Sequence, residues 1–152
     1  MEQIKIDNFA KSHAGITFPL YKTLASDECA ALHATVARRI GISSDVDGLR
    51  LLKHLYGAAE STDLGEVPDA GDFNVRKLLA DSGLECADSL YVNWYRLDDV
   101  DLMDVDDLSR WFDDIWYPGS DDIEIFDSSL DWVISVRHDA SVVLLRLPPE
   151  KM

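Results

Sequence analysis

Thirteen carboxylates fall in the 34 residues from Asp98 to Asp131, against one base, Arg110. An unpaired carboxylate is too costly to bury, so each must reach solvent, cap an element or find a distant cation. This segment holds −12 of the chain's formal −15, while the remaining residues, with 16 acids and 13 bases, are nearly balanced. Trp111, Phe112, Trp116, Tyr117 and Phe126 are threaded through the same stretch. A segment that is both acidic and aromatic must present one side to water and the other to a core. With 47% hydrophobic and 28% charged residues the chain has a globular composition. At 152 residues it suits one domain over 1–152, able to bury roughly two-thirds of its unfolded surface.

Helix signals dominate the first half. Gln3 to Asp7 alternates, with Ile4 and Ile6 on one side, and reads as a short strand; Gly15 and Pro19 exclude a helix through the residues after it. From Ser26, a cap followed by Asp27 and Glu28, apolar residues recur at Leu32, Val36 and Ile40, and Gly41 closes the helix. A second helix follows Ser44, with Leu49, Leu52, Leu55 and Tyr56 on its apolar side. Glu60 to Gly71 reads as a loop, and Asp72 as the cap of a short helix ending at Gly83.

The pattern changes at Ser89. Leu90 to Tyr95 is rich in aromatic and β-branched types and reads as a strand. Leu102 to Trp116 reads as a helix capped by Asp104 and stopped by Pro118-Gly119, with Val105, Leu108 and Phe112 on one side. Asp122 to Asp127 alternates as a half-exposed strand, and Trp132–Arg137 with Val142–Leu147 forms a hairpin. The expected fold is α+β: a helical N-terminal half, then an antiparallel sheet of about four strands with one inserted acidic helix and a C-terminal hairpin.

Chemistry-bearing motifs are sparse. Asp104-Val105-Asp106 begins a calcium-loop pattern, but Leu108 stands at the fifth position and no glycine follows. His13, His33, His54 and His138 have no zinc spacing, and there is no GxSxG, P-loop or GxGxxG. No metal, cofactor or catalytic residue is therefore assigned. Cys29 and Cys86 are too few for a disulfide scaffold and read as reduced core residues. No apolar run approaches the ~20 residues that cross a bilayer. The first residues resemble no secretory signal, so the expected compartment is the cytosol. The negative charge disfavours nucleic acid and anionic membranes and favours a basic protein partner.

Phe112 to Leu147, FDDIWYPGSDDIEIFDSSLDWVISVRHDASVVLLRL, resembles the C-terminal region of small bacterial immunity proteins of contact-dependent and polymorphic toxin systems. The likeness rests on a last hairpin with Trp132-Val133-Ile134-Ser135, then His138-Asp139 and a second strand, and covers about a quarter of the chain. Ala140 departs from the pattern, standing where such hairpins more often have glycine. The resemblance implies an inhibitor that binds a basic toxin through an acidic face, using Asp113, Asp114, Trp116, Tyr117, Asp121, Asp122 and Glu124. The residues themselves add Asp106 and Asp107, which oppose the apolar side of the expected helix. Two other readings stand beside this one: a small hydrolytic enzyme using clustered carboxylates, and a soluble protein of unassigned role.

Overall fold

A computed structural model describes residues 1–69 and 73–150; Gly71 and Asp72, the expected loop end and helix cap, lie outside them. In chain order the elements are α1 (Gln3–Ser12), β1 (Tyr21–Thr23), α2 (Ser26–Ile40), α3 (Gly48–Ala58), β2 (Glu60–Glu66), α4 (Val75–Asp81) and β3 (Ser89–Tyr95). Then follow β4 (Asp99–Asp104), α5 (Val105–Arg110), α6 (Phe112–Ile115), β5 (Ile123–Phe126), β6 (Trp132–Val136) and β7 (Ser141–Arg146). The strands make one seven-stranded sheet in the order β1-β4-β3-β5-β6-β7-β2, each pairing antiparallel.

The class is α+β, but the expectation of about four strands behind a helical half is wrong. Two of the strands, β1 and β2, come from the N-terminal half and form the two edges of the sheet. Helices cover both faces. On one, Val75 and Leu79 of α4, Val105 and Leu108 of α5, and Phe112 and Ile115 of α6 pack on Leu90, Val92, Met103, Ile125 and Ile134. On the other, Cys29 and Val36 of α2 and Leu51 and Leu55 of α3 pack on Val100, Phe126, Val133 and Leu145. A sheet covered twice has no wet side, so β6 is buried at every position and shows no alternation.

Three expectations fail for a common reason: tertiary contacts override local pattern. Gln3–Asp7 is helix, not strand, because the inward pair of α1 is Lys5 and Phe9, four apart, while Ile4 is 54% exposed. Glu60–Glu66, expected as loop, is a strand held by pairing with β7. The helix expected from Leu102 starts three residues later, since Asp99–Asp104 is β4, paired with β1 and β3. The β6–β7 turn is tight without glycine: Ala140 takes φ 71° and its N–H donates to the Arg137 carbonyl at 2.8 Å.

Candidate binding surface

Helices α5 and α6 are fixed from below and acidic above. Asp104 caps α5, its Oδ1 accepting from the N–H groups of Asp106 and Asp107 at 2.9 and 3.0 Å. Val105, Leu108, Phe112 and Ile115 are buried beneath. Asp106 and Asp113 are exposed, while Asp107 and Asp114 are half-buried. The two short helices meet at Trp111, whose backbone (φ −110°, ψ 22°) leaves helical geometry.

Most of the remaining carboxylates are answered from within the chain. Arg76 of α4 bridges Asp88 and Asp106 at 2.8 and 2.9 Å. Arg39 pairs with Asp131 at 2.5 Å, and the Met1 ammonium with buried Asp101 at 2.6 Å. Asp101 also accepts from Thr23 Oγ1 and Trp94 Nε1. Asp127 is folded onto its own turn through Ser129. Burial pushes the Asp122 carboxyl up, but the His138 N–H at 2.8 Å and imidazole at 2.9 Å outweigh it and hold the group below its usual range.

The first helix covers part of the expected face. Lys5, fully buried, donates to the Ile115 carbonyl at 2.8 Å and pairs with Asp121. Its ammonium sits 4.1 Å from the Tyr117 ring centre and 4.9 Å from that of Trp94, within cation–π range. Asn8 Nδ2 donates to Tyr117 Oη at 3.1 Å, and His13 Nε2 lies 3.1 and 3.0 Å from the two oxygens of Asp114. Phe9 meets Trp111 edge to face at 5.1 Å. Asp114, Tyr117 and Asp121, expected on the outward face, are thereby engaged by α1.

Two of the expected face residues are inside. Trp116 is 4% exposed, stacked on Phe112, with its Nε1 donating to the Asp121 carbonyl at 3.0 Å. Glu124 is also 4% exposed. Of the expected acidic positions, Asp106, Asp113 and, beyond the turn, Asp122 are exposed and Asp107 is half-buried.

Glu124 belongs to a polar row that local pattern did not reveal. Asn93, Glu124 and Ser135 are register partners across β3, β5 and β6. Tyr56 of α3 donates to Glu124 Oε1 at 2.9 Å and is 2.8 Å from Ser135 Oγ; Asn93 Nδ2 donates to Oε2 at 2.8 Å. Burial pushes the Glu124 carboxyl above its usual range, against the pull of Tyr56, Asn93 and Arg137. Burial likewise raises the Tyr56 phenol. Glu124 also lines an apolar cavity of about 10 Å³ with Leu52, Leu55 and Val133. No spacing links positions 56, 93, 124 and 135; only the sheet register brings them together.

No protein-family model, no curated protein and no solved structure matches the chain. Among the described residues there is no group of three or more His, Cys, Asp or Glu side chains that could hold a metal ion. Also among them, no helix is long and apolar enough to cross a membrane. Cys29 and Cys86 are free, and burial raises both thiols.

Proposed function

We propose that this is a non-enzymatic binding protein of the cytosol that holds a basic protein partner, in the manner of an immunity protein occluding its toxin. One observation carries the reading. Along α5 and α6, Asp104, Asp106, Asp107, Asp113 and Asp114 share one stretch with a single base, Arg110, while from other elements Arg76 reaches Asp106 and His13 reaches Asp114. The surplus sits on helices whose undersides are fully packed, so the carboxylates are held in place before any partner arrives. Such a surface steers a positive partner and offers carboxylates where a nuclease would take phosphates. The face is narrower than the sequence suggested, since Trp116 and Glu124 are buried and Asp114 and Asp121 are engaged by α1.

The test is retention on immobilised protein from a low-salt lysate. A basic protein should be held, should be lost as salt rises, and should be lost at low salt when Asp107 and Asp113 are replaced by Asn. Equal retention by parent and variant would end this reading.

The hydrolytic reading has a specific observation in its favour: Glu124 is a carboxyl with a raised pKa that lines an apolar cavity. The volume of that cavity weighs against it. A space of about 10 Å³ has room for roughly one water and none for a substrate.

A further inference from the structure

β2 is the outer strand of the sheet, paired on its inner side with β7. Among the described residues nothing pairs with its outer side, which leaves a row of backbone N–H and C=O groups open. Glu60, Asp63 and Glu66 are exposed along it, and among the described residues none of the three forms an ion pair. Asp63 Oδ1 accepts from the Gly65 N–H at 2.8 Å, and the register shifts between Asp63 and Glu66, so Glu60–Asp63 is the regular part of the edge. Beside it, on the α4 side, a cavity of about 300 Å³ has an apolar wall of Leu64, Pro68, Phe73, Leu78 and Val142; Glu66, Asn74 and the mutually paired Lys77 and Asp81 complete its lining.

The carboxylates have a plain protective role. A second copy adding antiparallel to β2 would set like charges across from one another, which is destabilising. Protection accounts for the charges but not for the cavity at the same edge. Both are accounted for by a guest of opposite charge. We propose that β2 is a docking edge for a basic extended segment of another protein, which adds as a further strand beside Glu60–Asp63 and lays one apolar side chain into the cavity. Its lysines or arginines meet Glu60 and Glu66, its backbone completes the open ladder, and Leu64, Phe73 and Leu78 receive the side chain. This edge does not rest on the α5–α6 face: α4 packs against α5 and separately walls the β2 cavity. Either surface can fail without the other.

The probe is a short fluorescein-labelled peptide alternating lysine with leucine, titrated into the full chain at low salt. Anisotropy should saturate, and amide resonances of residues 60–66, Leu78 and Val142 should move. Methylating alternate peptide amides should abolish binding, because a ladder needs those N–H groups. The pair Glu60→Lys and Glu66→Lys should weaken binding about tenfold, as expected from losing two surface charge contacts, with an unchanged unfolding midpoint. Four outcomes would overturn the proposal. They are binding that ignores both N-methylation and charge reversal, shifts centred on α5 and α6, a peptide-free protein that dimerises through β2, and resonances of Leu78 and Val142 that stay still as the peptide binds.

Discussion

Glu124 offers the sharpest test of how this sheet tolerates a carboxyl in its interior. Its two oxygens accept from Tyr56 Oη and Asn93 Nδ2, and Tyr56 Oη also touches Ser135 Oγ. Glutamine is the same size and can keep every bond. Its carbonyl takes the place opposite Asn93 Nδ2, which is fixed because Asn93 Oδ1 already accepts from the Leu97 N–H at 2.9 Å. Its amide then donates to Tyr56 Oη, whose own proton swings to Ser135. Alanine keeps none of this: Asn93 Nδ2 is left buried without a partner and a void opens beside Val133. Glu124→Ala should therefore cost about 2–4 kcal/mol, from the unmet donor and the cavity together. At about pH 4, where the buried carboxyl is protonated, Glu124→Gln should lie within about 1 kcal/mol of the parent, and the difference should change as pH rises. Because burial raises the folded pKa, the folded state holds this proton more tightly than the unfolded chain. The stability it contributes is complete below the unfolded carboxyl value of about 4.3 and is lost as pH climbs to the folded value, at about 1.4 kcal/mol per unit of separation. Above that window the loss is constant. Urea unfolding of parent and both variants from about pH 4 to about pH 9 should thus show the glutamine variant gaining on the parent as pH rises, then running level with it. A parent that instead gains on the glutamine variant with rising pH would mean that Arg137 and the two donors outweigh burial, and would refute burial as the dominant influence on this carboxyl.

Two further substitutions probe the frame. A Cβ on Gly48 would stand 2.0 Å from the Arg96 carbonyl oxygen, in the β3–β4 turn where Arg96 and Leu97 already adopt φ 52° and 61°. Gly48→Ala should therefore destabilise by roughly 2 kcal/mol or more in chemical denaturation, although alanine is the better helix former by about 1 kcal/mol; an unchanged midpoint would show that the turn yields freely. Lys5→Ala should cost about 3 kcal/mol, since it removes the cation from Asp121, which keeps only the Tyr117 N–H on the same oxygen, and the donor from the Ile115 carbonyl. In a double-mutant cycle Asp121→Asn should then add little to Lys5→Ala, and strictly additive losses would deny the coupling.

What was legible in the sequence was local chemistry. Asp104 at the start of α5 and Gly41 after α2, at φ 76°, sit where capping rules place them, because a cap is decided within a few residues. The strands at the sheet edges were not legible. β2 reads ESTDLGE, polar at nearly every position, and exists because β7, remote in sequence, supplies its ladder. β4 reads DVDLMD, and its buried polar member is Asp101, tolerable there only with the Met1 ammonium, Thr23 and Trp94 around it. A strand whose core-facing side includes a carboxylate looks, from its letters, like a solvated turn.

The charge itself shows why density along a chain and density on a surface are different quantities. The acidic stretch passes through two strands and two helices, and its partners Lys5, His13, Arg39 and Arg76 come from elements remote in sequence. Folding therefore disperses a segment that looked like a single patch. It cannot remove the imbalance: 29 carboxylates against 14 cations leave a surplus in any arrangement. The surplus shows most on the outward side of α5 and α6 and along the open edge of β2. These differ in kind. A contact made of carboxylates alone weakens steadily as salt screens it, whereas an edge that also offers backbone hydrogen bonds and a cavity with an apolar wall keeps two attractions that screening does not reach. Composition could announce the first, but the second depends on β2 being the outermost strand, which is fixed by a pairing no local pattern displays.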